Sequence, residues 1–334
     1  MVQTLFDYLT QPNAQLVVHI SASPTYTKNE GWAPVEAIKR WEDFDHASLT
    51  KRYRQSLDAD TRLTSTVEAA EEAAHGVIHD ETALTILLGS TNINMVSRAL
   101  PGSLFLSAGS RIIAYPGVRP DWGAGESNIH YTSPSRICQA LVCGDTKVGW
   151  DVGRAMRLVG DGDYEEQPDA HLVRPFEQIQ HYCTVYGTRY GFILTDEFVV
   201  LVRVKLSPPA SKQRASRPPR QTMPESHRRV RSDTSTSTNV SDVSDSFSAM
   251  SFRPKPQDED VAALEVKIVP WDHGSSEETI NIALYFMIRL ASESRELSHH
   301  YESLDIDVKV QGKEKRKRPD DSHETSSWGK LKKP

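Results

Sequence analysis

The chain has 334 residues, 38% of them hydrophobic and 25% charged, which is enough for one large or two small domains with a buried core. No apolar stretch approaches the ~20 residues that cross a bilayer, and the first residues lack the basic and apolar regions of a signal peptide, so we expect neither a membrane protein nor a secreted one. Three cysteines without a C-x-x-C pair, Cys138, Cys143 and Cys183, argue against a disulfide scaffold or a zinc finger.

The net charge of −6 conceals two basic segments. Residues 205–231 carry a net charge of +7 and residues 309–334 carry +5, so the rest of the chain carries −18. Sequence-independent affinity for nucleic acid comes mainly from Lys and Arg. The body of the chain is therefore unlike a protein that coats DNA, and only the basic segments offer such contacts.

The first predicted elements are helices. Apolar residues recur near a period of 3.6 between Trp32 and Leu57, which predicts an N-terminal helical region over residues 1–60. A second helix is predicted to begin at Ser65, because Ser65 and Glu68 have the spacing of a capping box, and to continue with interruption to Leu88.

Strands are predicted to follow the helices. Residues rich in β-branched and apolar side chains occur at 104–106, 111–115 and 137–148. The glycines and prolines between residues 117 and 125 predict a turn or hairpin. A helix is then predicted over 175–187, with proline at its start and glycine at its end, followed by a β-hairpin formed by 190–194 and 198–204.

The chain changes character after this hairpin. Residues 207–260 are rich in Ser, Pro and Arg with few aliphatic residues, which predicts a disordered insert. A strand over 263–269 and an apolar helix over 275–291 resume the fold, and residues 309–334 are predicted to form a disordered basic tail. These elements predict a mixed α/β domain built from residues 61–206 and 261–308.

Three charged residues form the sharpest candidate site. Asp121 follows Pro120, and Asp145 and Lys147 project to the same side of a predicted strand, because side chains two apart in a strand share a face. Two carboxylates can hold a hard cation such as Mg²⁺ or Mn²⁺, and the lysine can orient water and stabilise charge growing on a phosphate. Gln178 and Tyr182, four residues apart on the next helix, can support this site.

These motifs resemble the PD-(D/E)XK, or restriction-endonuclease-like, nuclease superfamily. The stretches RPDW, GDTK, YCTVYGTRYGFILTDE and LEVKIVPW are similar, more narrowly, to an uncharacterised fungal protein family whose members are sometimes fused to protein-kinase-like domains. The resemblance covers roughly residues 60–206 and 261–295. It implies a mixed central sheet flanked by helices and metal-dependent hydrolysis of a nucleic-acid phosphodiester.

The resemblance also assigns roles to single residues. It implies metal ligation by Asp121, Asp145 and the backbone carbonyl of Thr146, catalysis by Lys147, and supporting roles for Gln178 and Tyr182. An acidic residue acting through water is implied on the preceding helix, at Glu68 or Glu72. The chain departs from the commoner pattern in having Asp instead of Glu at position 145, which shortens the reach to a metal ion.

Each assignment has an alternative. Asp121 after Pro120 is also typical of a turn. Asp145 and Lys147 are also typical of a cross-strand ion pair at a sheet edge. Gln178 and Tyr182 are also typical of a pair on a helix surface. Glu68 suits a cap as well as a ligand.

A second E-x-K sequence, Glu265-Val266-Lys267, competes for the catalytic strand, although no Gln/Tyr helix follows it. His75 and His79 have a spacing compatible with zinc, but no third ligand is evident, so a solvated pair is favoured. The chain contains no protein-kinase motif set.

The tail carries a dense basic run, Lys313 to Pro319, which is typical of a nuclear import signal or of a solubilising tail. We therefore expect a nuclear or nucleocytoplasmic protein and two competing functions. One is a metal-dependent nuclease acting on nucleic acid. The other is a catalytically silent nuclease fold that acts in the nucleus as an interaction module through its disordered basic insert.

Overall fold

The structure is a computed structural model, which describes residues 3–19, 26, 29, 31–68, 77–112, 115, 118–127, 138–208, 261–274 and 276–304. Glu72 and His75, the insert from residue 209 to residue 260 and the basic tail with the run from Lys313 to Pro319 lie outside the described residues.

The described helices are α1 (Leu5–Leu9), α2 (His46–Leu57), α3 (Glu81–Ser90), α4 (Asn92–Ala99), α5 (Val152–Asp161), α6 (Arg174–Tyr186) and α7 (Ile280–Glu293). The described strands are β1 (Gln3–Thr4), β2 (Val17–Val18), β3 (Ile38–Arg40), β4 (Asp60–Thr61), β5 (Val77–Ile78), β6 (Leu104–Ala108), β7 (Trp122–Glu126), β8 (Ala140–Thr146), β9 (Tyr190–Leu194), β10 (Phe198–Leu206) and β11 (Val261–Pro270).

A mixed sheet of seven strands, counted over the described ranges, forms the centre of the fold in the order β3-β11-β10-β9-β8-β7-β6. Neighbouring strands are antiparallel except for β8 with β9 and β11 with β3. A parallel pair cannot be joined by a tight turn. The connection from β8 to β9 accordingly contains α5 and α6.

Helices cover both faces of this sheet, so the molecule is a three-layer α/β structure. On one face α5 and α6 pack against strand residues such as Cys143 and Ile193. On the other face α1 to α4 and α7 pack against residues such as Val142 and Phe192. Every residue of β8 is buried, because a central strand covered on both sides has no solvent-facing positions.

The N-terminal 60 residues are not a separate helical region. The first predicted helix begins only at His46, where the Asp45 side chain accepts a hydrogen bond of 2.8 Å from Ser48 N. Before it, Ile38–Arg40 forms edge strand β3 and pairs in parallel with β11. The backbone hydrogen bonds of this segment with the sheet therefore outweigh the local apolar periodicity that predicts a helix.

The second predicted helix is also interrupted. Ser65 accepts a hydrogen bond of 3.2 Å from Val67 N, as a capping residue does, but Val77–Ile78 is a strand that pairs with β2. Helix α3 then starts afresh, because the Asp80 side chain accepts a hydrogen bond from Ala83 N and caps it.

The glycine-rich stretch between residues 117 and 125 has the local sequence of a turn, yet its second half is central strand β7. Gly123 and Gly125 lie within this strand because their neighbours occupy the space of a side chain. A Cβ atom at Gly123 would lie 2.9 Å from Ile112, and one at Gly125 would lie 2.9 Å from Phe105. Here close packing, and not backbone freedom, explains the glycines.

Other boundaries differ less. The segment predicted as a strand at 111–115 begins with the 3-10 turn Gly109–Arg111, and α5 was not predicted at all. Helix α7 starts at Ile280, not at residue 275, because Thr279 accepts the hydrogen bond from Ile282 N. Strands β6, β8 and β11, helix α6 and the β9–β10 hairpin occur where they were predicted.

Candidate active site

Asp145 and Lys147 lie at the carboxyl end of β8. They face α6, and their side chains form an ion pair between Asp145 Oδ2 and Lys147 Nζ. Asp145 is 2% exposed and Lys147 is 6% exposed, so this pair is not a solvated ion pair at a sheet edge. Two opposite charges removed from water need further polar partners, and neighbouring residues provide them.

Thr146, between the two charged residues, connects the site to the adjacent strand. Its backbone amide donates a hydrogen bond of 3.0 Å to Asp121 Oδ2, and its carbonyl accepts one of 2.9 Å from Lys147 Nζ. Its side chain points to the opposite face, where Oγ1 accepts a hydrogen bond of 2.8 Å from Trp122 Nε1. Asp121 is therefore bound to the strand that carries Asp145, which goes beyond ordinary turn chemistry.

The pair on α6 contacts the same carboxylate. Gln178 Nε2 lies 3.4 Å from Asp145 Oδ1 and donates a hydrogen bond of 2.8 Å to the Tyr182 hydroxyl. The Tyr182 hydroxyl donates in turn to the carbonyl of Arg119, at 3.2 Å. Gln178 and Tyr182 thus connect α6 with β8 and with the segment before β7, and are not a surface pair.

Glu81 completes the cluster, and sequence reasoning missed it. It lies in the first turn of α3, and its Oε2 atom is 3.6 Å from Lys147 Nζ. Of the two glutamates expected on the preceding helix, Glu68 is exposed, whereas the ion-pair partners of Lys147 are Asp145 and Glu81. The available signal was Asp80-Glu81, which only Thr82 separates from the apolar run ALTILL, and this order is typical of a helix start.

The site has more negative than positive charge. Burial raises the pKa of Asp145 to about 7, with Lys147 opposing this shift and Asp121 adding to it. Burial also raises the pKa of Glu81. For Lys147, burial favours the neutral amine, but the charges of Asp145, Glu81 and Asp121 outweigh it and the pKa is raised. One ammonium group thus faces three carboxyl groups, and an additional cation would be stabilised here.

The oxygen atoms of the site suit a hard divalent cation. Asp145 Oδ2 is buried and accepts no well-formed hydrogen bond, although it forms the ion pair with Lys147. The Lys147 ammonium contacts a carboxylate and the Thr146 carbonyl, oxygen types that Mg²⁺ or Mn²⁺ also prefers. Within the described ranges, no three His, Cys, Asp or Glu side chains are arranged to hold a metal ion by themselves. Mg²⁺ usually needs only one or two carboxylates, since it retains several waters.

Tyr26 is a second residue that sequence reasoning missed. Its hydroxyl is buried without a hydrogen-bond partner. Burial raises its pKa, and the negative charges of Glu81 and Asp196 raise it further. The phenol is therefore a neutral donor near the acidic cluster.

The competing E-x-K sequence has a different environment. Glu265 accepts a hydrogen bond of 2.6 Å from Arg203 Nε, and Lys267 pairs with Glu278 at 2.8 Å. Glu265 shares the Arg203 cation with Asp43, and Lys267 is paired with Glu278, so both charges of this sequence take part in ion pairs away from Asp145. His79 stacks on His19, with ring centroids 6.1 Å apart, and does not take part in a zinc site in the part of the chain that the structure describes.

Comparisons with protein-family models, with curated proteins and with solved structures found no match to this chain. No helix among the described residues is long and apolar enough to cross a membrane.

Proposed function

We propose that this protein is a nuclease-like phosphodiesterase that hydrolyses nucleic acid with Mg²⁺ or Mn²⁺. The order of elements around the site supports this proposal. Helices α3 and α4 precede the meander β6-β7-β8, and α5 and α6 connect β8 to its parallel neighbour β9. The PD-(D/E)XK superfamily, which the motifs resemble, would have its catalytic strands at this position, with a restriction-endonuclease-like fold.

One observation carries the proposal. A buried aspartate and a buried lysine, at alternate positions of one strand end, share a cluster with Asp121, Glu81 and Gln178. A structural ion pair needs no surplus of carboxylates around a single ammonium, and that surplus costs free energy. The arrangement is explained if the site works with an additional cation.

Each residue then has a chemical role. Asp121, Asp145 and the Thr146 carbonyl would hold the metal ion, with Glu81 as a further acceptor. When bound, the ion would neutralise the carboxylates and polarise the phosphate and a water molecule. Lys147 stays protonated and so orients water and stabilises negative charge on the phosphate. Gln178 positions Asp145, and Tyr182 positions Gln178 relative to the backbone of Arg119.

The test is cleavage of labelled single-stranded and duplex DNA and RNA in Mg²⁺ or Mn²⁺. We expect Lys147→Ala to lower the rate at least about 100-fold, the range over which a charge-stabilising donor contributes. Lys267→Ala is the matched control, since it removes a partly buried, ion-paired lysine from another strand of the same sheet. It should retain wild-type cleavage.

Circular dichroism of each variant separates loss of activity from loss of fold. Loss of cleavage in Lys267→Ala alone would move the catalytic strand to β11. If the folded wild type cuts no substrate, the alternative is favoured, namely a catalytically silent interaction module in the nucleus. Capture of partners by the basic insert, and nuclear exclusion after deletion of Lys313 to Pro319, would then test that function.

A further inference from the structure

Helix α6 is buried over most of its surface, and its partly exposed residues form one stripe. These residues are Gln178, His181, Thr184 and Val185. Positions three, four and seven apart lie on the same side of a helix. The stripe begins at Gln178, whose Nε2 atom lies 3.4 Å from Asp145 Oδ1. A partly exposed surface of α6 thus starts at the candidate active site.

The chain segment before β3 lies along one side of this stripe. Gln180 Nε2 donates hydrogen bonds of 3.2 and 3.1 Å to the carbonyls of Ala33 and Pro34. These bonds hold the segment against α6, where the ring centroid of Trp32 lies 6.3 Å from that of His181. The Trp32 ring is therefore positioned beside the stripe.

Trp32 differs from the other tryptophans that the structure describes. Four of them, Trp41, Trp122, Trp150 and Trp271, are buried in the core on one or the other face of the sheet. Trp32 lies outside the core, is only partly buried and has exposed residues on both sides. Within the described residues its indole N–H donates no hydrogen bond. A large aromatic ring that lies outside the core is available for a binding partner.

The segment before β7 places a cation on the other side of the stripe. The Tyr182 hydroxyl donates a hydrogen bond of 3.2 Å to the Arg119 carbonyl, and the Tyr186 hydroxyl donates one of 3.3 Å to the Val118 carbonyl. Arg119 is exposed, and no carboxylate pairs with it in the ranges that the structure describes. Because Trp32 contacts the residue directly before Tyr182, an aromatic ring and a cation flank the stripe next to the candidate active site.

We propose that this stripe binds a single strand of nucleic acid next to the candidate active site, with one base stacked on Trp32 and one phosphate bound by Arg119. Proteins bind single strands by combining aromatic rings, on which bases stack, with cations that follow the backbone. The bases of a duplex are stacked on one another, so their faces are not available to Trp32. Stacking needs no charge, which suits a chain whose body carries −18. This inference rests on the proposed function, and it names single strands as the substrate class.

The test measures binding apart from cleavage, by fluorescence anisotropy with the full chain in EDTA. Two labelled probes of equal length carry the same number of phosphates, namely an oligothymidine single strand and a strand of abasic sites. We expect Trp32→Ala to weaken binding of oligothymidine at least about fivefold, the lower limit for one stacked base, and to leave binding of the abasic strand unchanged. Trp32→Phe, which keeps an aromatic ring, should retain most of the affinity.

Two further variants separate stacking from charge and from packing. Arg119→Gln should weaken binding of both probes and reduce the slope of log K against log salt by about 0.7, the value for one phosphate contact on a single strand. Phe6→Ala is the matched control for Trp32→Ala. It removes a partly buried ring that also contacts a histidine, His46 at 6.5 Å, on the opposite face of the sheet. It should leave both affinities unchanged, and circular dichroism verifies the fold of each variant.

Four results would overturn the stacking proposal: no binding of oligothymidine by the folded wild type, wild-type affinity in Trp32→Ala, an equal loss for the abasic strand, or an equal loss in Phe6→Ala. An unchanged salt slope in Arg119→Gln would remove the phosphate contact. If Trp32→Ala behaves as expected and the wild type cuts no substrate, the single-strand site stands and the nuclease proposal fails. Cleavage with an unchanged KM in Trp32→Ala has the opposite meaning.

Discussion

Thr146 shows how one small residue can organise a charged site. Its amide holds Asp121, its carbonyl holds Lys147, and its hydroxyl is held by Trp122. The two charges beside it are buried and do not adjust freely as solvated side chains do. The geometry of the site is therefore set by the backbone of β8, which is rigid because both neighbouring strands pair with it.

Asp145 should make stability fall as pH rises. Its pKa is raised by burial from an ordinary 3.8 to about 7, so the folded chain binds a proton that the unfolded chain has released between these values. The contribution of Asp145 to the free energy of unfolding is therefore greatest below about pH 4, and it is lost as pH rises towards 7. In Asp145→Asn the position does not titrate.

Urea unfolding at a series of pH values measures this effect. Wild type should lose stability relative to Asp145→Asn between about pH 4 and 7, and the difference should level off above 7. A difference that is constant over this range, or that changes in the opposite direction, would mean that Asp145 is ionised throughout in the folded chain.

At the scale of single elements, glycines in the central strands leave space for side chains of the neighbouring strand and helix. Gly144 on β8 faces the Phe192 ring, and Gly191 on β9 faces Ile179 and Cys183 of α6, with Cβ distances of 2.7 and 2.9 Å. Strands β8 and β9 carry glycine at these positions because neighbouring side chains occupy the space that a Cβ atom would need. The end of β8 that carries Asp145 depends on this close packing.

Gly144→Ala should destabilise the fold by about 1–3 kcal/mol, because the added methyl group would overlap with the Phe192 ring. Gly160→Ala is the matched control. Gly160 lies within α5 and has no atom within 4 Å of the position that a methyl group would occupy, so the substitution should stabilise the helix by up to about 1 kcal/mol. Urea denaturation measures both changes. Equal effects of the two substitutions would show that β8 tolerates a side chain at residue 144.

At the scale of the whole molecule, Arg203 joins three distant parts of the chain. It donates to Glu265 on β11 and to Asp43 before α2, and its guanidinium lies over the rings of Trp41 and Tyr301. The N-terminal segment and the segment after α7 thus meet at one buried cation. This explains why the first 60 residues form part of the same structure.

Arg203→Met should cost about 3–5 kcal/mol, because it leaves two largely buried carboxylates, Asp43 and Glu265, without their shared cation. Adding Asp43→Asn and Glu265→Gln should restore much of this loss. Arg154→Met, which breaks the more exposed ion pair with Asp169, should cost no more than about 1 kcal/mol. Similar losses in the two methionine variants, measured by urea denaturation, would contradict the structural role of Arg203.

Local signals in the sequence were sufficient for a large part of the fold and of the site. The strand at residues 140–146, the helix from Arg174 to Tyr186 and the following hairpin have strong periodicity and clear turn residues. The spacings of Asp145 with Lys147 and of Gln178 with Tyr182 follow from the periods of a strand and a helix, which act between near neighbours. These features could be predicted because each depends on a few consecutive residues.

The tertiary structure alone decided the remainder, because those features depend on residues far apart in sequence. Glu81 joins Lys147 across 66 positions, and Ile38–Arg40 becomes a strand only by pairing with β11. Gly123 and Gly125 have the local signature of a turn, but the side chains of Ile112 and Phe105 make them part of a central strand. The burial that raises the pKa of Asp145 likewise comes from packing of the strands and α6, which no local pattern contains.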